Sequence, residues 1–106
     1  MFKEVNTGEA NKLINSLKKF MILDVRTSEE FSEGHLKNAV NIDIFGLNFR
    51  HELNKLDKSM VYIVHCRSGQ RSYDAVQIMK ELGFTNIFHM CDGMLGWEGN
   101  GLPIMQ

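Results

Sequence analysis

Two short, mostly apolar runs limit the folds open to this chain more than any other feature. They are FMILDV at 20–25 and MVYIV at 60–64. Continuous apolar runs of this length are typical of strands buried on both faces, as in a parallel sheet. Parallel neighbours need a crossover connection, which is usually a helix. The pattern therefore predicts an α/β fold with a central parallel sheet and helices on both faces.

The segments between and around these runs fit that alternation. Helices are predicted at 9–19, 28–34, 47–56, 72–83 and 93–101, and further strands at 39–42 and 86–90. Thr7 is the predicted N-cap of the first helix, and Gly83 follows the end of the fourth. No repeat or linker divides the 106 residues, so a single domain over 1–106 is expected.

The composition limits which binding partners and which cellular compartment are expected. The formal net charge of −1 gives no reason to expect a nucleic-acid or membrane partner, so any affinity for anions must be local. No apolar stretch is long enough to cross a bilayer, and the N-terminal residues lack the apolar run of a secretory signal. The two cysteines, Cys66 and Cys91, fit a reducing compartment. A cytoplasmic location is expected.

The segment HCRSGQRS, residues 65–72, places a cysteine between a buried strand and a helix. Ligands of such sheets bind at the carboxyl ends of the strands, which is where Cys66 lies. The helix N-terminus, a glycine at position 69 and the charges of Arg67 and Arg71 all favour a thiolate over a thiol. An inert cysteine at the end of a core strand is the alternative, but it does not explain this electropositive turn. The loop therefore indicates a nucleophile in an anion-binding site.

The spacing in this loop separates two chemistries. Cysteine phosphatases have five residues between the cysteine and the arginine that closes the loop. Only four residues separate Cys66 from Arg71 here. A tighter loop leaves less room for a phosphoryl group and suits one extra sulfur atom on the cysteine. The phosphatase or arsenate-reductase interpretation is therefore disfavoured.

Three ordered segments resemble single-domain rhodaneses, which are sulfurtransferases. They are LDVRTSEEFSEGHLKNAVNI at 23–42, CRSGQRS at 66–72 and GMLGWEGNGLPI at 93–104. The resemblance covers nearly the whole chain. It implies the rhodanese fold, in which a parallel sheet of about five strands has helices on both faces.

The resemblance also implies a two-step reaction. The Cys66 thiolate takes the sulfane sulfur of a thiosulfate-like donor, and the resulting persulfide passes it to cyanide or a thiol. Cys66 is then the catalytic residue, and the loop after it binds the donor and the persulfide, largely through its backbone N–H groups. The residues of this binding loop are Arg67, Ser68, Gly69, Gln70, Arg71 and Ser72. No cofactor is expected beyond the covalent persulfide, and no metal.

Other residues near this edge of the sheet are candidates for supporting roles. Asp24 and Arg26 end a strand on the ligand side, where hydrogen bonding of the neighbouring loop is the favoured interpretation. Asp92 stands where the family usually has the first of two glycines. Cys91 is either a small apolar filler or a thiol that resolves the Cys66 persulfide.

A second function from another class stays open. The chain could be a persulfide carrier or binding module that serves a specific sulfur-relay protein and has little turnover of free thiosulfate. The intact Cys66 fits both functions.

Overall fold

The computed structural model describes residues 1–106 and contains five parallel strands in one sheet. The strands are β1 (Phe2–Val5), β2 (Phe20–Asp24), β3 (Val40–Asn41), β4 (Val61–His65) and β5 (Asn86–Met90). Their order across the sheet is β1-β5-β4-β2-β3. The helices are α1 (Thr7–Ser16), α2 (Ser28–Glu33), α3 (Phe49–Asn54), α4 (Gln70–Glu81) and α5 (Gly93–Gly99). None of them is both long and apolar enough to span a lipid bilayer.

The central strands β2 and β4 supply side chains to two separate apolar cores. Leu23 and Val64 pack on one face of the sheet, together with residues of α3 and α4. Ile22 and Ile63 point to the other face and pack with residues of α1 and α5. Successive side chains of a strand face opposite ways, so a run that is apolar throughout can fill both cores. The predicted α/β architecture, with helices on both faces of a five-stranded parallel sheet, is confirmed.

The strand β1 is absent from the sequence prediction. It lies at the edge of the sheet, pairs only with β5, and buries only Val5. A strand that is exposed along most of its length carries no continuous apolar run, so the hydrophobic pattern does not reveal it.

The predicted N-cap of α1 is wrong by one residue. Asn6 is the N-cap, and its side-chain oxygen accepts the N–H of Glu9 at 2.8 Å, while the Glu9 carboxylate accepts the N–H of Asn6 at 2.9 Å. Thr7 is instead the first helical residue and is fully buried. The reciprocal pair of hydrogen bonds is a capping box, which decides where the helix begins.

The helix α4 begins at Gln70, two residues before the predicted start at Ser72. Gly69 is its N-cap and has a positive φ of 113°, which lets the chain turn from the loop straight into the helix. The early start leaves only a short connection between the end of β4 and the first helical turn. The candidate site is built on this connection.

Candidate functional site

Cys66 directly follows β4, at the carboxyl edge of the sheet, and is only 1% exposed. The chain then passes through Arg67 and Ser68 to Gly69, where a Cβ atom would lie 2.3 Å from the carbonyl oxygen of Cys91. Because the φ of Gly69 is also positive, only glycine fits this turn. The loop is therefore pressed against the segment that follows β5.

The segment after β5 binds the backbone carbonyl groups of the loop that follows Cys66. The N–H of Met94 donates to the carbonyl of Cys66, and the N–H of Leu95 donates to the carbonyl of Arg67, both at 3.0 Å. Gly93 makes this approach feasible, since a Cβ there would lie 2.5 Å from each of those two carbonyl oxygens. The loop carbonyls are thus bound by the start of α5, while loop N–H groups face the cysteine sulfur.

Several hydrogen-bond donors converge on the sulfur of Cys66. The N–H of Gly69 lies 3.1 Å from Sγ, and the Ser72 hydroxyl lies 3.3 Å from it. Burial raises the pKa of Cys66, but hydrogen bonds from the Ser72 hydroxyl and from the N–H groups of Ser72, Gly69 and Ser68 outweigh that effect. The pKa of Cys66 therefore lies below its ordinary value, which favours the thiolate.

Arg71 is anchored rather than free. Its Nη1 and Nη2 atoms lie 2.7 and 3.0 Å from the two carboxylate oxygens of Glu30. Hydrogen bonding to Arg71 lowers the pKa of Glu30 to about 2, against the effect of partial burial. Glu30 also completes a capping box with Thr27 at the start of α2. These contacts fix the guanidinium of Arg71 near the site. Its pKa is raised chiefly by the hydrogen bond to Glu30 and to a lesser extent by the negative charge of the Cys66 thiolate.

Arg67 differs from Arg71 because it is exposed and forms no ion pair. It lines an open cleft of about 350 Å³ next to the loop. The other residues lining this cleft are Arg26, Glu30, Glu33, Gly34, Glu98 and Ile104. Of the two loop arginines, Arg67 is thus the one whose guanidinium is available to an anion arriving from solvent.

Asp24 and Arg26 form a buried pair that organises the neighbouring loop. The Arg26 Nη2 atom lies 2.7 Å from the Asp24 carboxylate and 2.8 Å from the carbonyl oxygen of Gly34. His65 is fully buried beside them, with Nε2 3.7 Å from Asp24 and Nδ1 3.0 Å from the Cys66 carbonyl oxygen. Burial lowers the pKa of His65. None of the three makes a hydrogen bond to the Cys66 sulfur, so their contribution is to hold the backbone around it.

Cys91 approaches the loop through its carbonyl group. Its sulfur lies 3.4 Å from the carbonyl oxygen of Val5, and its pKa is raised by burial and by the carboxylates of Glu4 and Asp92. Both cysteines are free thiols in this structure. The Asp92 carboxylate accepts the N–H of Thr7 at 3.2 Å, so it ties the start of α5 to the start of α1.

Two side chains outside the predicted site continue from it into the sheet. His89 of β5 lies with Nε2 2.6 Å from the Ser72 hydroxyl oxygen, and its Nδ1 is 2.9 Å from a carboxylate oxygen of Glu4 on β1. Residues 4 and 89 stand opposite each other in the β1–β5 register. Because β1 was not predicted, no sequence signal placed Glu4 beside His89.

Comparisons with known proteins agree with one another. A family model described as the rhodanese-like domain matches residues 6–100. The chain is 33% identical over 101 residues to the putative sulfurtransferase YtwF of Bacillus subtilis, covering 95% of each protein. It is 34% identical over 97 residues to the putative sulfur carrier protein YrkF of the same organism, covering 91% of this chain and 51% of that one.

A solved structure shows the same fold. The rhodanese-related protein of Thermoplasma volcanium superimposes with a TM-score of 0.85 at 29% identity, over 97% of both chains.

Proposed function

This chain belongs to the rhodanese-like domain family, and on that premise we propose that it transfers sulfane sulfur from a thiosulfate-like donor to cyanide or a thiol through a Cys66 persulfide. The observation that carries the proposal is the convergence of the Gly69 N–H and the Ser72 hydroxyl on the Cys66 sulfur. These donors stabilise an anion on sulfur, both before and after it has accepted a second sulfur atom. The relatives named as sulfurtransferases support the same class of reaction.

The first half of the reaction is a displacement at sulfur. The Cys66 thiolate attacks the outer sulfur of the donor and forms a new S–S bond. The S–S bond of the donor breaks, and sulfite leaves with the bonding electron pair. Arg67, which is exposed and unpaired, attracts the dianionic donor, while Arg71 holds a fixed positive charge near the reacting sulfur.

The second half regenerates the enzyme. A cyanide ion or an acceptor thiolate attacks the terminal sulfur of the Cys66 persulfide, and the S–S bond breaks with its electrons returning to Cys66. The same loop donors that held the persulfide then hold the thiolate. The cycle needs no electron carrier and no metal, because each half is a nucleophilic displacement.

The test is a thiosulfate-to-cyanide assay of wild type beside Cys66→Ser, with Cys91→Ser as the matched control. After thiosulfate treatment, the intact masses of wild type and Cys91→Ser should each rise by one sulfur atom, and both should form thiocyanate. Cys66→Ser should do neither. Absence of both the adduct and turnover in wild type would contradict the proposal.

A persulfide carrier is the second candidate, and the similarity to the putative sulfur carrier protein YrkF favours keeping it. A carrier would form the same Cys66 adduct but would pass its sulfur to a protein thiol and turn over free thiosulfate negligibly. Adduct formation without thiocyanate in the assay above would therefore select the carrier.

A further inference from the structure

A continuous chain of hydrogen bonds leads from the Cys66 sulfur, beside the central strand β4, to the edge strand β1. The Ser72 oxygen lies 3.3 Å from the sulfur and 2.6 Å from Nε2 of His89. The other ring nitrogen of His89 lies 2.9 Å from the carboxylate of Glu4. Its members come from the loop after β4, the first turn of α4, and the strands β5 and β1.

The two ends of this chain differ in their access to solvent. Ser72 is fully buried and His89 is 5% exposed, whereas the Glu4 side chain is 62% exposed. Glu4 and His89 line an open cleft of about 280 Å³, which none of residues 66–71 lines. The other lining residues are Phe2, Lys3, Tyr73, Val76, Gln77, Lys80 and Ile87. The chain thus begins at the buried sulfur and reaches solvent in a cleft that the loop does not line.

The Ser72 hydroxyl also lies 3.2 Å from the carbonyl oxygen of Gly69, so its single proton has more than one acceptor in reach. One arrangement of the protons satisfies the whole chain when Cys66 is a thiolate. Ser72 has one hydroxyl proton, and donating it to the sulfur leaves its oxygen to accept from Nε2 of His89. The Glu4 carboxylate is an acceptor, so Nδ1 of His89 must donate as well. In that arrangement His89 donates from both ring nitrogens, as an imidazolium paired with the Glu4 carboxylate.

We propose that Ser72, His89 and Glu4 form a proton relay that accepts the Cys66 proton and holds it as an imidazolium–carboxylate pair while the thiolate reacts. The S–H bond of Cys66 breaks as an O–H bond forms at Ser72, and the original O–H bond of Ser72 breaks as an N–H bond forms at His89 Nε2. No electrons are transferred, and the total charge does not change. His89 and Glu4 are positioning residues, because they act on the sulfur through Ser72. The proposal depends on the proposed function only for the role of Cys66 as nucleophile.

The charged groups around His89 act in both directions, since the Glu4 carboxylate favours an imidazolium and the nearby lysines oppose it. Glu4 is the only carboxylate that lines the cleft, where Lys3, Lys80 and Tyr73 are the other titratable groups. The Lys80 ammonium is directed over the ring of Phe2, 4.8 Å from its centroid. From β4, His65 points to the other face of the sheet, where burial lowers its pKa, and a positive charge on His89 lowers it further.

The test is the pH profile of Cys66 alkylation by iodoacetamide, read on the Cys66 peptide by mass spectrometry. The variants are His89→Gln, which keeps a hydrogen-bond donor but cannot carry the proton, and Glu4→Gln. His51→Gln, at an exposed position of α3, is the matched control. Removing the imidazolium raises the pKa of Cys66, so alkylation at mildly acidic pH should fall about tenfold in His89→Gln. In Glu4→Gln the rate of Cys66 alkylation at mildly acidic pH should fall by only about threefold, because the Glu4 carboxylate is largely exposed and its effect is screened by solvent. Rates of all the proteins should converge at alkaline pH.

The alkylation profiles of the two variants decide whether the proton relay exists. A profile of His89→Gln that coincides with wild type, or that drops equally at every pH, would overturn it. Should His89→Gln fail to fold, Glu4→Gln decides alone, and a profile that coincides with wild type overturns the relay. Alkylation uses no sulfur donor, so a shifted profile alongside a failed thiosulfate assay would leave the relay intact and reject the proposed function.

Discussion

Gly69 has two independent reasons to be glycine, a φ of 113° and the Cys91 carbonyl oxygen 2.3 Å from where a Cβ would stand. We expect Gly69→Ala to lower the free energy of unfolding by about 1 to 3 kcal/mol, because a strained backbone and a displaced carbonyl must both be accommodated. Urea denaturation measures this. Gly99→Ala is the matched control, since no atom lies within 4 Å of its added Cβ, and it should be neutral or slightly stabilising. Equal stabilities of the two variants would show that the loop does not depend on this contact.

Glu30 makes stability depend on pH in a defined window. Its pKa is lowered from 4.5 to about 2 in the folded protein, chiefly by hydrogen bonding to Arg71. A depressed carboxyl pKa contributes stability that is fully present above the unfolded value and is lost as the pH falls through the folded value. Between pH 4.5 and 2 the free energy of unfolding should therefore fall more steeply in wild type than in Glu30→Gln.

The control for that measurement is Glu29→Gln, on the exposed side of the same helix. Its dependence on pH should follow that of wild type. If Glu30→Gln loses stability on acidification as steeply as wild type does, the Arg71–Glu30 pair is not what holds the loop to α2.

At the scale of single elements, Asn6 rather than Thr7 sets the start of α1. Asn6→Ala should cost about 1 kcal/mol of unfolding free energy, because it leaves the N–H of Glu9 without its partner. Asn15→Ala, an exposed position within the same helix, should be neutral or stabilising. Thermal or urea denaturation of the pair would contradict the capping assignment if Asn15→Ala were the more damaging change.

The strands that could be predicted most clearly from the sequence are those in which burial is nearly continuous. The strands β2 and β4 were predicted because both of their faces are buried, and the loop after β4 because its glycine and charges are local signals. The strand β1 was missed because it buries only Val5. The contact of His89 with Glu4 was missed for the same reason, since a cross-strand pair 85 positions apart depends on register that no local pattern encodes.

At the scale of the whole molecule, the sheet separates two cores that share only the strands between them. Ile22→Val in the core of α1 and α5, and Val76→Ala in the core of α3 and α4, should each cost about 0.5 to 2 kcal/mol. The double variant should lose the sum to within about 0.5 kcal/mol, because the two sites have no shared side-chain partners. Urea denaturation of the two single variants and the double variant measures the coupling, and a coupling well above that size would show that the sheet transmits packing changes between its faces.

The hydrogen bonds that hold the loop also fix when the cysteine can become reactive. The N–H groups that bind the carbonyls of Cys66 and Arg67 belong to Met94 and Leu95, which follow α4 and β5 in the sequence. During synthesis on the ribosome, the thiol therefore emerges before the residues that hold its loop in place. Until those residues hold the loop in place, the donors of Ser68, Gly69 and Ser72 are not fixed around the sulfur. We therefore expect the nascent Cys66 to be an ordinary thiol, less susceptible to oxidants and stray electrophiles than the thiolate of the folded protein.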